Sequence, residues 1–336
     1  MDTSFTLENK VIDFGIIITC YKGDYFLTKG LLASIKYFLP NIPICIIQDG
    51  DFSLDKELYV YNISHIVKKA DVKNDFLREK CFGSRCSNLI AFFEAPFERF
   101  LYLDSDLVLW GNILDNIDIN EAEFIHNEPH EKYSERIVKE QYFDINELFK
   151  HTEYFNWKEC HFFNSGVFIA KKNIFNFDEL KELIDIWDFN RNIFPTDPQS
   201  ILNIIVFRNM LKDNLKVSEK HLQTVVPVIE NKDLIINFKI IDNQPQIITN
   251  TIIHWAGPKP NLLNSRKVFN IPMTYFRKQN LINVDSFWKN YPIIYFYFEE
   301  YLALIYRYHS KLTFNRINKK LRKYRWLQFS RLLREY

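Results

Sequence analysis

Two aspartates one residue apart, Asp104 and Asp106, stand at the end of an apolar run in FLYLDSDLVLW, Phe100 to Trp110. In an extended segment residues i and i+2 project to one side, so the two carboxylates can converge on one point. Adjacent carboxylates repel each other unless a cation lies between them. Oxygen ligands select a hard divalent ion, Mn2+ or Mg2+, whose octahedral shell is completed by water and substrate phosphate. A D-x-D also arises by chance as a turn or a helix cap. The apolar strand leading into this one and the apolar run after it favour the metal reading. A second stretch that can do chemistry is TIIHWAGPKPN, in which His254 closes a buried run, Gly257 turns the chain and Lys259 lies between two prolines that stiffen the loop. A neutral imidazole is a good ligand for Mn2+, and a lysine ammonium suits a phosphate oxygen. Taken alone, this pair reads rather as a partly buried histidine beside an ordinary surface lysine.

The elements that must position these groups are legible as alternating strands and helices. FGIIITC (Phe14 to Cys20), IPICIIQDG (Ile42 to Gly50), SHIVKK and RFLYLD read as strands of a buried parallel sheet. Between them, DYFLTKGLLASIKYFL has helical periodicity and stops at Pro40, and SRCSNLIAFFEA (Ser84 to Ala95) reads as a helix halted by Pro96. The alternation predicts an α/β fold of Rossmann-like type with a mostly parallel central sheet. Further on, AEFIHNE, HFFNSGVFIAKK (His161 to Lys172) and TIIHWAG predict strands, while FDELKELIDIWDFNR and DPQSILNIIVFRNML predict helices. In a parallel sheet ligands sit beyond the carboxyl ends of the strands, where Asp104 is placed. The polar and aromatic stretch 129–160 has no clear period and is expected to be an insertion on the acceptor side.

Composition narrows the class. The 336 residues are 47% hydrophobic, 16% aromatic and 25% charged, as in a globular protein. With only eight glycines, neither G-x-G-x-x-G nor G-x-x-x-x-G-K-[ST] can be built, so no Gly-rich loop cradles a phosphate. A diphosphate bound at this sheet would have to be neutralised by other means, which favours the aspartates and a metal. Five cysteines show no zinc spacing, and Cys20 and Cys45 read as core thiols in a reducing cytosol. The acidic, polar N-terminus is unlike a secretory signal. The longest apolar window, Tyr291 to Tyr308, is interrupted by Glu299 and Glu300, which argues against a membrane span.

Four ordered stretches, LYLDSDLVL, FFNSGVFIAKKN, TDPQSILN and HWAGPKP, together resemble the GT-A glycosyltransferases. The similarity is greatest to glycosyltransferase family 8, which includes lipopolysaccharide galactosyl- and glucosyltransferases and glycogenin. It spans roughly residues 14 to 262. Here the lysine follows the glycine by two residues rather than three, and a proline separates Asp197 from Gln199. The resemblance implies a GT-A catalytic domain over 1–265 and a retaining, metal-dependent transfer of a hexose from a nucleotide sugar, with UDP the expected nucleotide. Asp104, Asp106 and His254 would hold the metal, and Lys259 with Gly257 would meet the diphosphate. Thr19, Cys20 and Tyr21 would lie at the base and ribose, with Asp49, Arg85 and Ser105 as further donor-side candidates. Asn164, Ser165 and Gly166 would line the donor sugar, with Gln199 and Asp197 at its reactive face. The acceptor would be a glycan or a lipid-linked saccharide.

The remaining segment, 266–336, is expected to be a helical, basic and aromatic appendage. From Lys311 onward there are nine Lys or Arg against one Glu, while the whole chain nets only +1. Phe314, Ile317, Leu321, Phe329, Leu332 and Leu333 share one helical face. Arg316, Lys319, Lys320, Lys323, Arg331 and Arg334 share the opposite one, although Arg322 and Arg325 intrude on the apolar side. Such a segment either packs on the body with a solvated basic face or lies peripherally on an anionic membrane, here the inner face of the cell membrane. Nucleic acid is not an expected partner, since no reader motif accompanies the charge. Two other functions share this architecture: a sugar-nucleotide nucleotidyltransferase, which would want a Gly-rich loop after the first strand, and a non-catalytic sugar-nucleotide binder, which should have lost its metal ligands.

Overall fold

A computed structural model of the protein describes residues 12–83, 86–129, 133–195, 198–226, 229, 231–264, 269–285 and 287–309. Twelve strands lie among them: β1 Ile12–Tyr21, β2 Ile44–Asp49, β3 Ile63–Val67, β4 Phe97–Leu103, β5 Leu107–Trp110, β6 Phe124–Asn127, β7 Val167–Lys171, β8 Val217–Lys220, β9 Gln223–Val226, β10 Ile240–Ile241, β11 Gln244–Pro245 and β12 Thr251–Trp255. Seven form one sheet in the order β3-β2-β1-β4-β7-β6-β8. All run the same way except β7, which is antiparallel to both β4 and β6. The fold is therefore α/β with a mostly parallel central sheet, as the alternation of strands and helices predicts.

Alternation along each strand divides the interior into two cores. Ile17, Cys45, Ile47, Phe100 and Tyr102 face one side with Phe124 and Phe168, whereas Ile16, Ile18, Ile44, Ile46, Leu101 and Leu103 face the other. Both sides are covered, which is why these strands read as unbroken apolar runs rather than alternating ones. The first core is aromatic: Phe168 stacks on Phe92 at 5.4 Å and on Tyr102 at 4.8 Å. The second is roofed by the Tyr25–Phe38 helix, where the Ser34 hydroxyl accepts the Leu109 N–H at 3.0 Å.

Two elements differ from expectation. The helix predicted over 84–95 is a 3-10 turn, Ser87–Ile90, running into a single α-turn, Ala91–Glu94. Ser87 spends its hydroxyl on the Cys81 carbonyl, a local bond that competes with helix extension. The strand predicted from His161 begins only at Val167, because side chains of Asn164 and Asn203 take the backbone bonds of Phe163 and Gly166. The run after Asp106 does not continue the main sheet. It forms β5 of a second sheet, ordered β5-β12-β9.

After the second sheet, the Ile271–Val284 and Pro292–His309 helices return to the Tyr25–Phe38 helix. Their side chains meet it through Met273, Arg277 and Glu299. No helix among the described residues is long and apolar enough to cross a membrane. The basic segment from Phe314 lies outside the described residues.

Candidate active site

Strand direction brings the site together. Because β7 is reversed, its N-terminal end lies beside the C-terminal end of β4, and the Asp104 N–H donates to the Gly166 carbonyl at 2.9 Å. β12 runs antiparallel to β5 with His254 opposite Leu107, and the Trp255 N–H donates to the Asp106 carbonyl at 3.2 Å. Two sheets thus meet at the D-x-D. Asp104, Asp106 and His254 each offer a ligand atom, and these atoms lie within 4.8 Å of one another. His254 Nε2 is 3.7 Å from Asp106 Oδ1, and Lys259 Nζ donates to Asp106 Oδ2.

Each ligand is held by a partner. The Tyr102 hydroxyl donates to Asp104 Oδ1 at 2.9 Å and lies 3.0 Å from Thr19 Oγ1. His254 Nδ1 is 2.7 Å from Gln223 Oε1. That bond selects the tautomer with the proton on Nδ1 and leaves the Nε2 lone pair facing the carboxylates. Gln223 is fully buried, and its Nε2 has no hydrogen-bond partner among the described residues, so the amide is committed to orienting the ring. Burial and the Asp106 charge push the Asp104 carboxyl up to about 7. Asp106 is held below the usual carboxylate range: burial works against it, but the Lys259 ammonium and then the His254 ring prevail. Burial keeps His254 neutral, down to about 4.

The donor set of two carboxylate oxygens and one neutral imidazole nitrogen fits Mn2+ or Mg2+. Gly166 adds a steric observation. A Cβ there would lie 2.5 Å from His254 Cε1 and 2.8 Å from Asp104 Oδ2, so only glycine leaves the space between the two ligands open. Beside it, Asn164 Oδ1 accepts the Gly166 N–H at 2.9 Å, and Asn164 Nδ2 donates to Gln199 Oε1 at 3.1 Å. Asn203, on the Pro198–Lys212 helix, accepts from the Phe163 N–H and donates to the carbonyls of Phe163 and Gln199. That side chain ties the start of the helix to the loop before β7.

The other sequence candidates sort by depth. Thr19 and Tyr21 end β1 beside Asp49 at the end of β2, along the crevice beyond the carboxyl ends of the strands. Burial raises the Asp49 carboxyl above the usual range. The Cys20 thiol instead faces the second core and accepts a bond from the Thr28 hydroxyl, so its side chain is turned away from the crevice. Ser105 and Ser165 are buried next to the ligands. A side chain at Gly257 would meet no protein atom within 4 Å. Arg85 and Asp197 lie outside the described residues. Sequence reasoning missed Tyr102, Gln223 and Asn203 as supports. Tyr102 and Asn203 sit inside stretches already singled out, but Gln223 carries no signal at all.

No protein-family model matches the sequence, and no curated protein matches it either. Among solved structures, the galactosyltransferase LgtC in complex with donor and acceptor sugar analogues matches with 13% identity and a TM-score of 0.54, covering 83% of this chain and 99% of that one. The bifunctional glycosyltransferase WbbM matches with 15% identity and a TM-score of 0.48, over 88% of this chain and 52% of that one. The glycosyltransferase GlyE of Streptococcus pneumoniae TIGR4 matches with 16% identity and a TM-score of 0.48, over 83% and 64%. The LgtC match extends over nearly the whole of that enzyme, and the chain has the same GT-A fold.

Proposed function

We propose that this protein is a metal-dependent glycosyltransferase that moves a hexose, with retention of configuration, from a UDP-sugar to a saccharide or lipid-linked acceptor in cell-surface glycan synthesis. The observation that carries this reading is the convergence of Asp104, Asp106, His254 and Lys259, from strand ends of two sheets, on one small volume. Asp104, Asp106 and His254 would hold Mn2+ or Mg2+. The ion, when bound, offsets the charge that develops on the leaving diphosphate.

The chain's own groups do the rest. The Lys259 ammonium, on a loop stiffened by Pro258 and Pro260, adds positive charge for the diphosphate. Asn164 and Gln199, joined by their 3.1 Å bond, present a rigid polar edge to the donor sugar. Tyr102 and Asn203 lock that edge and the D-x-D in place, so little reorganisation accompanies reaction. Tyr21 and Asp49, side by side at the ends of β1 and β2, would meet the base and ribose. No carboxylate among these motifs is an obvious nucleophile. We therefore favour front-face attack, in which a departing phosphate oxygen takes the acceptor proton while Gln199, together with Asp197, positions the sugar. A covalent glycosyl-enzyme trapped on Asp197 would overturn that step.

The non-catalytic alternative is disfavoured because all three ligands and their supports are retained. The basic segment beyond residue 310 is proposed to attach the enzyme peripherally to an anionic membrane, where a lipid-linked acceptor is found. Sedimentation with anionic liposomes tests it, and binding that survives truncation at Ser310 would discard it. For the donor, thermal shift with UDP- and GDP-hexoses, each with and without Mn2+, is expected to show Mn2+-dependent stabilisation by a UDP-sugar. A melting temperature indifferent to every nucleotide sugar would end the transferase reading.

A further inference from the structure

The Pro292–His309 helix touches the candidate donor site at two separate loops. In its middle, Glu300 is almost fully buried, and its Oε1 pairs with Arg277 Nη1 at 2.5 Å. Its Oε2 accepts the backbone N–H groups of Leu262 at 2.8 Å and Leu263 at 3.3 Å. Those residues open the turn that directly follows the Lys259-Pro260 loop, and the Asn261 N–H donates back to the Lys259 carbonyl at 2.9 Å. Near its end, the same helix lays Tyr306 against Tyr21, with ring centroids 5.5 Å apart, and pairs Arg307 with Asp24. Lys22 Nζ lies 5.0 Å over the Tyr306 ring. One rigid element therefore reaches the loop after β1 and the loop after β12.

The anchoring is costly to build. Arg277 lies 4.8 Å from the Phe26 ring and 4.2 Å from the Phe296 ring, and Glu299 takes both Arg277 and Lys29. A Cβ at Gly30 would lie 2.5 Å from Met273 Sδ and 3.3 Å from Arg277 Cγ, so the Tyr25–Phe38 helix gives up a side chain to admit this packing. Buried ion pairs seldom stabilise a fold more than well-packed apolar residues would. A Glu300 that spends one oxygen on the cation and the other on two loop amides gains something apolar packing cannot supply, a fixed backbone path three residues beyond Lys259.

We propose that the Pro292–His309 helix braces the two donor loops, with Glu300 the positioning residue for Lys259 and Arg307 for the Tyr21–Asp24 turn. The proposal rests on Lys259 being a diphosphate ligand. Glu300 touches no reacting group and acts through the loop alone, so its effect should vanish when Lys259 is already gone.

The test uses the full chain with UDP and, separately, inorganic pyrophosphate, each titrated calorimetrically with Mn2+. Glu300→Gln is expected to weaken both ligands by about tenfold, as loss of an outer support does at comparable sites. It should raise the donor KM more than it lowers kcat. The Lys259→Ala, Glu300→Gln double variant should bind no more weakly than Lys259→Ala alone, because two residues acting as one unit are not additive. Arg307→Ala, at the other end, should weaken UDP and leave pyrophosphate unchanged, and it reports even if Glu300→Gln fails to fold. Wild-type affinity in Glu300→Gln, additive losses in the double variant, or equal loss of both ligands in Arg307→Ala would overturn the brace. Wild-type protein that binds neither ligand would instead remove the diphosphate site on which the brace depends.

Discussion

Two clusters of buried charge lie in this molecule, and they are finished differently. Around Arg277 every charge has a partner: Lys29 and Arg277 face Glu299 and Glu300, and Glu300 fills its remaining capacity with backbone amides. Around Asp104 the charges do not balance among the described residues. Among the described residues the Asp104 carboxylate takes a side-chain hydrogen bond only from the Tyr102 hydroxyl, its carboxyl is pushed up to about 7 by burial and by Asp106, and Gly166 keeps the space beside it open. A closed cluster holds elements in place, whereas an open one waits for a charge from outside. The difference separates a structural network from a binding site without reference to any other protein.

The largest effects should come from breaking each cluster in turn. Asp106→Ala is expected to abolish glycosyl transfer, a loss of about a thousandfold or more if several kcal/mol of charge stabilisation disappear. An active Asp106→Ala enzyme would remove the metal from the account. Arg277→Ala should leave Glu300 buried without its cation, while Glu299 keeps Lys29, and cost about 3 to 5 kcal/mol in chemical denaturation. Asp104→Asn should do the reverse to the metal-free protein. The Asp104 carboxyl titrates above its ordinary value, so its charge disfavours the fold at neutral pH, and removing that charge should leave the midpoint unchanged or higher while Mn2+ binding is lost. If Asp104→Asn and Arg277→Ala destabilise alike, the contrast between open and closed clusters is wrong.

The two clusters also differ in how far the sequence reveals them. Asp104 and Asp106 are neighbours in a motif, and His254 to Lys259 form another, so their chemistry is visible locally. What the residues alone leave open is that a reversed strand and a second sheet bring the two stretches together. Lys29 lies far in the chain from Arg277 and Glu299, and nothing about an isolated lysine or glutamate announces a partner more than two hundred residues away. Glu299 and Glu300 count in the sequence only as interruptions of an apolar window; in the fold they are its anchors. The same limit hid Gln223, whose role depends on lying two residues before Val225, the residue paired with His254 across parallel strands. Local signals misjudged 84–95 and 161–166, where Ser87, Asn164 and Asn203 divert backbone bonds from regular structure.

Gln223 offers a gentler way to sharpen the comparison. Gln223→Leu keeps the volume but frees the imidazole to adopt the other tautomer. Loss of such an outer partner costs about 10- to 100-fold in metal affinity at well-studied sites. Mn2+ titration followed by water-proton relaxation would read it, and the metal-free melting temperature should change less than the metal affinity does, since Gln223 Nε2 has no hydrogen-bond partner to lose among the described residues. Undiminished Mn2+ affinity would mean that His254 is oriented by packing alone.

In the last comparison, the smallest at neutral pH, protein and metal respond with opposite sign. In the metal-free protein the Asp104 carboxyl titrates at about 7, above its unfolded value. Its contribution to stability is therefore complete in acid and is lost as pH rises from the ordinary carboxylate range towards 7. Metal binding requires the ionised carboxylate, so protons compete with the ion below that point. Mn2+ affinity should fall by about tenfold for each pH unit below 7. His254, held down to about 4, stays neutral across this window and adds no second competing proton. Melting curves at pH 5, 6, 7 and 8 with and without Mn2+ should show the metal-dependent increment growing to pH 7 and levelling off above it. An increment independent of pH would place the ion away from Asp104, and with it the open end of the contrast.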